Sequence, residues 1–186
     1  MSRLPLQTLA SAPEASRPYL EKVQAANGFI PNLVAVLANA PTALETYLTV
    51  AEINGRSSLS LVEREIVQIT AASIHGCEFC VSGHSAVALK KAGLDKALVV
   101  TLQDRGVTGN ARYDALIDFT RALIVSRGNV GDGELARFVA AGFRQEQALE
   151  VLLGVSLASL CNFANNLAGS EINPELQAYR PGVLQA

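Results

Sequence analysis

Residues that start and stop α-helices punctuate this chain from end to end. Ser60 followed by Glu63 forms a capping box, in which the hydroxyl accepts from the third backbone amide and the carboxylate reaches back to the cap. A helix over 61–75 follows. The next runs over 77–91 and is stopped by Gly93, and Asp95 then caps a short helix over 96–103. Asn110 caps another, in which Leu116, Phe119 and Leu123 share one face before Gly128 ends it, and Asp132 starts a short one. Upstream, Pro31 and Pro41 each stand where a first helical turn begins. Ala43, Leu44, Tyr47, Leu48, Val50 and Ala51 mark an amphipathic helix that stops at Gly55. The last long helix, over 145–166, is apolar nearly all round, which places it centrally. No segment alternates with period two between hairpin turns, and Leu98-Val99-Val100 is better explained as helix. The expected fold is all-α, a single-domain bundle of about eight helices.

A chain of 186 residues fits one domain with a sizeable core. Residues 1–30 carry Pro5, Pro13 and Pro18 and close on Asn27-Gly28, so they are expected to form an arm with at most one short helix, over 15–26. The helical domain then spans 31–170, and 171–186 is a tail. Hydrophobic residues make up 49% of the chain and charged ones 17%, with mean hydropathy +0.25. That is more apolar surface than a monomer of this size hides, so part of it is expected between subunits. A net charge of -2, with no Trp, leaves neither a basic stripe nor a stacking platform, and nucleic acid is not an expected partner.

Compartment follows from the same composition. The first six residues lack the apolar run of a secretory signal. The longest apolar stretch, 151–164, is broken by Gly154, Ser156, Ser159 and Asn162 and falls short of the roughly 20 residues a bilayer span needs. A cytoplasmic protein with no membrane partner is expected. Three cysteines are too few, and odd in number, for a secreted disulfide framework. Cys-x-x-Cys in a reducing compartment points to metal binding, redox chemistry or coincidence.

Cys77, Cys80 and His84 follow one another at spacings of three and four, so on a helix opening at Cys77 they fall on nearly one face. Helical residues three apart have Cα atoms roughly 5 to 6 Å apart, inside the range a disulfide requires, so the pair can oxidise without unfolding. Lowering a thiol pKa from about 8.5 to about 7 means favouring the thiolate by roughly 2 kcal/mol. A helix N-terminus supplies roughly 0.3 to 1 kcal/mol, so His84 must take or share the proton. A histidine in that role needs a carboxylate to orient it. Glu63 and Glu65 are the candidates, and Glu63 is better used on the cap.

The stretch Glu65-x11-Cys77-Glu78-Phe79-Cys80-x3-His84 resembles the core motif of the alkylhydroperoxidase D family, within the carboxymuconolactone decarboxylase-like superfamily. Gly28-Phe29-Ile30-Pro31-Asn32 followed by Pro41 is similar to the opening segment of its peroxidase-related branch, so the likeness covers most of the chain. The resemblance implies a helical, cofactor-free thiol peroxidase acting on hydroperoxides. Cys80 would be the attacking thiolate, Cys77 the resolving one, and Glu65 with His84 the proton relay. It further implies re-reduction by a dithiol, from a lipoyl group or a thioredoxin-like protein, and assembly into trimers or hexamers. One departure stands out: the founding type carries histidine immediately before the second cysteine, where this chain has Phe79.

Two other functions fit the same residues. His75, Cys77, Cys80 and His84 offer four zinc ligands within ten residues, but without the distant second pair of a structural zinc site; they would make a non-catalytic zinc-binding or redox-sensing module. An enzyme of the decarboxylase-like branch, acting on a ring lactone, would not need the cysteines. Elsewhere, Cys161 reads as an inert core residue, and Asn162, Asn165 and Asn166 as satisfying backbone near the end of the last helix.

Overall fold

The expected caps form in the computed structural model, which describes residues 2–184. The Ser60 hydroxyl accepts from the Glu63 amide at 3.2 Å and the Ser60 amide donates to Glu63 Oε2 at 2.8 Å, starting α4 (Leu61–Ile74). Asp95 Oδ1 accepts from the Leu98 amide at 2.7 Å to start α6 (Lys96–Gln103). Asn110 accepts from Arg112 and Tyr113 to start α7 (Ala111–Val125). The remaining helices are α1 (Arg17–Asn27), α2 (Asn32–Leu37), α3 (Pro41–Gly55), α5 (Glu78–Lys90), α8 (Asp132–Ala140) and α9 (Gln147–Ala168). Two short 3-10 segments, Glu14–Ser16 and Pro174–Tyr179, complete the chain, and no strand occurs among the described residues. This is the all-helical single domain expected.

Helix α4 is the hub. From Glu65 to Ser73 every residue is buried, because its flanks are covered by α5, α7 and α9. On one side Phe119, Phe138 and Phe143 stack at centroid distances of 4.4 and 4.3 Å, with Ile66, Ile69, Leu116 and Val151 around them. On the other, Leu20, Leu37, Leu44, Phe79 and Leu157 enclose all three cysteines. Burial of such side chains contributes about 1.5–3 kcal/mol each, so the dithiol is embedded in one of the molecule's two cohesive regions rather than on a loop.

Gly154 lets α9 approach α4 closely. A Cβ there would lie 3.0 Å from Val67 Cγ1, and the bare backbone carbonyl instead accepts from Gln68 Nε2 at 2.9 Å. By length and composition α9 would suit a membrane span, but it packs against α2, α3, α4, α5 and α7 as a core helix. It is not buried all round as its sequence predicts. Leu149, Phe163 and Leu167 remain 70%, 58% and 65% exposed, because the helices packed against α9 leave one of its faces uncovered. The N-terminal arm is tied down through the Arg3 amide on the Ala168 carbonyl at 2.5 Å and the Gln7 amide on Ala35 at 3.1 Å. Near the other end, Asn173 Oδ1 accepts from the Asn32 amide at 2.8 Å, which sets residues 174–179 across α5.

Candidate active site

A glycine turn creates the site. Gly76 adopts φ 67°, a conformation that favours glycine, and the Cys77 amide closes the turn on the Ala72 carbonyl at 3.0 Å. Cys77 therefore sits at the N-cap of α5 rather than within its first turn, and its sulfur accepts the Cys80 amide at 3.4 Å. Folding α5 against α4 brings Glu65 to His84, with Glu65 Oε2 2.8 Å from His84 Nδ1. The other candidate, Glu63, is fully used: one oxygen completes the cap and the other takes Arg112 from α7 at 2.8 Å. With Nδ1 held by a carboxylate, Nε2 is the nitrogen left to work.

The charges in the site sort the two sulfurs. The Cys80 thiol donating to Cys77 brings the Cys77 pKa down to about 7 against the opposing effect of burial. The Cys80 amide, Asn165 and the positive charge of His84 act in the same direction. Cys80 is pushed the other way, well above an ordinary thiol, because it supplies that hydrogen bond and because it is buried. Of the two coupled thiols, Cys77 is the one its surroundings favour as the thiolate. Burial disfavours a charged His84, but the Glu65 carboxylate outweighs it and leaves the His84 pKa raised.

Cys80 and His84 open onto one cavity of about 460 Å³, walled by Phe29, Tyr47, Phe79 and Leu157. Tyr47 is held firmly neutral there, its pKa displaced above the tyrosine range by burial and by Cys161 and Cys80. Cys161 borders the same cavity, its thiol pushed up to about 12 by burial. At that pKa it remains protonated and unreactive near neutrality.

His75 turns away from the cysteines, donating from Nδ1 to Asn162 Oδ1 at 3.0 Å and packing on Phe163 at a centroid distance of 4.9 Å. Among the described residues no group of three or more His, Cys, Asp and Glu side chains is placed to hold a metal ion. The three asparagines of α9, to which the sequence assigns only backbone satisfaction near the helix end, all serve the 75–80 turn. Asn162 holds the His75 ring, Asn166 Nδ2 donates to the His75 carbonyl at 2.9 Å, and Asn165 Nδ2 donates to Cys80 Sγ at 3.3 Å. Their signal was visible as three amides on an otherwise apolar helix, but the partners lie more than 80 residues away in the chain.

Residues 37–122 match the sequence model of the carboxymuconolactone decarboxylase family, and this segment contains Glu65, Cys77, Cys80 and His84. The match covers a little less than half of the chain. The fold is that of the alkylhydroperoxidase D core. A peroxidase-related protein from Ralstonia eutropha JMP134, described as an alkylhydroperoxidase D core, is 22% identical with a TM-score of 0.86 over 95% of each chain. A peroxidase-related protein from Silicibacter sp. TM1040 is 21% identical with a TM-score of 0.81, over 96% of this chain and 94% of that one. A cysteine-to-alanine variant of the debrominase Bmp8, in complex with 2,3,4-tribromopyrrole, is 16% identical with a TM-score of 0.77, over 95% and 94%. No curated protein matches the sequence significantly. Proteins with this fold thus carry names from more than one chemistry, so function must be argued from the residues of this site.

Proposed function

We propose that the protein is a thiol-dependent peroxidase that reduces organic hydroperoxides through a Cys77–Cys80 disulfide cycle. The observation that carries this is the shared cavity: Cys80 and a histidine oriented by Glu65 face the same apolar space. The substrate's apolar group lies against Phe29, Tyr47 and Leu157, with its O–O bond at Cys80. The proton of Cys80 passes along the existing hydrogen bond to Cys77, and the Cys80 thiolate attacks the distal peroxide oxygen. The O–O bond breaks; the alkoxide leaves and takes a proton from the His84 imidazolium, and Cys80 becomes a sulfenic acid. The His84 imidazole, now neutral, takes the proton of Cys77 and passes it to the departing hydroxide, so that Cys77 attacks the Cys80 sulfur and expels water. Each turnover converts one hydroperoxide and two thiols into an alcohol, water and a disulfide, so no cofactor is required. A dithiol, lipoyl or thioredoxin-like, restores the pair in the reducing cytoplasm.

Trapping the sulfenic acid tests this. In Cys77→Ser, cumene hydroperoxide followed by dimedone is expected to label Cys80, whereas Cys80→Ser abolishes hydroperoxide consumption. Consumption that survives Cys80→Ser unchanged would sink the proposal.

A second use of the same dithiol is favoured by the cavity's apolar walls and by the fold shared with a debrominase. A thiolate that attacks bromine on an electron-rich ring releases the ring carbanion for protonation, and the second thiol then displaces bromide to close the disulfide. Bromide release from tribromopyrrole in the presence of a dithiol, faster than hydroperoxide reduction, would favour this reading.

A further inference from the structure

Helix α5 leads from the reacting sulfur to two positive charges. Cys80, His84, Val87 and Lys91 follow one another at helical spacing on one face, and all four line the cavity of about 460 Å³. Lys90 lines it as well. Cys80 is 4% exposed whereas both lysines are exposed, so the cavity runs from a buried sulfur to a cationic mouth. At the rise of an α-helix, the backbone of Lys91 lies about 16 Å along the axis from that of Cys80 and about 10 Å from that of His84.

The wall between the two ends is apolar, built from Phe29, Leu33, Val87, Leu157 and Leu176, and no Asp or Glu lines the cavity. Lys90 Nζ stands over the Tyr179 ring, 4.8 Å from its centroid, and Tyr179 is fixed in turn through its carbonyl, which accepts from Gln103 Nε2 at 3.0 Å. That contact holds an ammonium group at the mouth without neutralising it. We propose that Lys90 and Lys91 form an anion subsite, and that the hydroperoxides taken by this cavity carry a carboxylate on an apolar chain, well removed from the O–O group, as fatty-acid hydroperoxides do. The inference rests on the hydroperoxide cycle proposed above and names its substrate class.

An uncharged hydroperoxide meets only apolar walls, and nothing in them decides which of its ends approaches the sulfur. A carboxylate decides it. Carried to the buried end, the charge would lose its hydration without gaining a cation to pair with other than His84, which Glu65 already holds. At the mouth it stays hydrated and meets two ammonium groups. The chain therefore lies along α5 with its head at Lys90 and Lys91, and the helix sets where the O–O bond must fall, about 10 to 16 Å from the head, between His84 and Cys80. Lysines in the last turn of a helix also offset its dipole, but that effect is the same for every ligand, so a comparison of ligands separates the two roles.

The test compares linoleic acid hydroperoxide with its methyl ester, both below the concentration of micelle formation, with dithiothreitol as donor. At low ionic strength the wild type is expected to favour the acid by about fivefold or more in kcat/KM, mainly through KM, and the preference to fade as salt is added. Lys90→Gln with Lys91→Gln should abolish the preference, and Lys90→Glu with Lys91→Glu should reverse it. Lys96→Gln removes an exposed positive charge that does not line the cavity and should keep the wild-type ratio. Equal use of acid and ester by the wild type, a preference that survives Lys90→Gln with Lys91→Gln, or one lost equally in Lys96→Gln would overturn the proposal while leaving hydroperoxide reduction standing. Calorimetric binding of ricinoleic acid, a hydroxy acid of the product's kind, needs no turnover. A wild type that consumes no hydroperoxide but binds ricinoleic acid more tightly than its methyl ester, with the difference lost in the double glutamine variant, would overturn the peroxidase reading and leave the anion subsite standing.

Discussion

The side-chain amide of Asn165 donates to the sulfur of Cys80 at 3.3 Å, joining α9 to the first turn of α5. Asn165 is 3% exposed and its Oδ1 has no hydrogen-bond partner, so the residue leaves one buried acceptor unsatisfied to keep its donor on the sulfur. The same amide favours the thiolate form of both cysteines.

Asn165→Ala is therefore expected to raise the first ionisation of the dithiol. A hydrogen bond to a charged group contributes about 1.5–3 kcal/mol, which is roughly one to two pK units. Thiolate absorbance at neutral pH should fall in proportion, and Asn165→Asp should lower it further by placing a carboxylate beside the sulfurs. An unchanged titration in both variants would show that the contact is only packing.

The Cys77 pKa of about 7 also makes the stability of the reduced protein pH-dependent. A thiol whose folded pKa lies below its unfolded one stabilises the fold fully above the unfolded value, and that contribution is lost as pH falls through the folded value. With an ordinary thiol at 9.0 and Cys77 at about 7, the window is pH 7 to 9. Across it the urea midpoint of the reduced wild type should rise relative to Cys77→Ser, by an amount equivalent to about 2–3 kcal/mol. Parallel profiles for the two proteins would place the resting charge elsewhere. Above pH 9 the advantage should stop growing, because the Cys77 thiol of the unfolded chain is then ionised as well.

Helix boundaries were legible because caps are local: Ser60, Asp95 and Asn110 each act on an amide within three residues. Glu65, Cys77, Cys80 and His84 were legible because their spacing on two consecutive helices survives folding as proximity. The direction of charge between the sulfurs was not, since it depends on Cys77 leaving the helix for the N-cap and on an amide from α9. The contacts of Asn165 were hidden for the same reason. They arise from elements distant in sequence, and nothing in the local pattern of an apolar helix tells which of its faces meets a sulfur. The exposed stripe of α9 was missed in the opposite sense, because near-uniform hydrophobicity conceals which face the bundle leaves uncovered.

Glu65→Gln isolates the carboxylate's effect on its partner. Burial alone would hold His84 below an ordinary histidine, and the Glu65 charge and hydrogen bond reverse that. Removing the charge should lower the His84 pKa, read directly from imidazole proton shifts in a chain with only two histidines. If His84 delivers the proton to the leaving oxygen, kcat for hydroperoxide should fall by about a hundredfold or more, within the usual range of acid–base catalysis. The loss should be larger for alkoxides of higher basicity. A shifted pKa with unaltered turnover would leave His84 a structural residue.

The uncovered stripe of α9 is expected to pair with a second copy of itself. Leu149, Leu152, Phe163 and Leu167 recur at helical spacing along one face, with Ser156 and no charged residue among them, and they are 70%, 43%, 58% and 65% exposed. Each large apolar side chain removed from water contributes about 1.5–3 kcal/mol, and a two-fold contact counts every one twice. That is ample for association in the micromolar range even after the entropy of binding is subtracted. A helix meeting its own copy across a two-fold axis builds dimers, or hexamers where a second interface exists, but not isolated trimers. Sedimentation of the wild type should therefore give an even-numbered species, and Phe163→Glu with Leu167→Glu should halve its mass or more while the helical circular dichroism is retained. A wild type that sediments as a monomer at tens of micromolar would mean that the stripe stays open to solvent or serves a different partner.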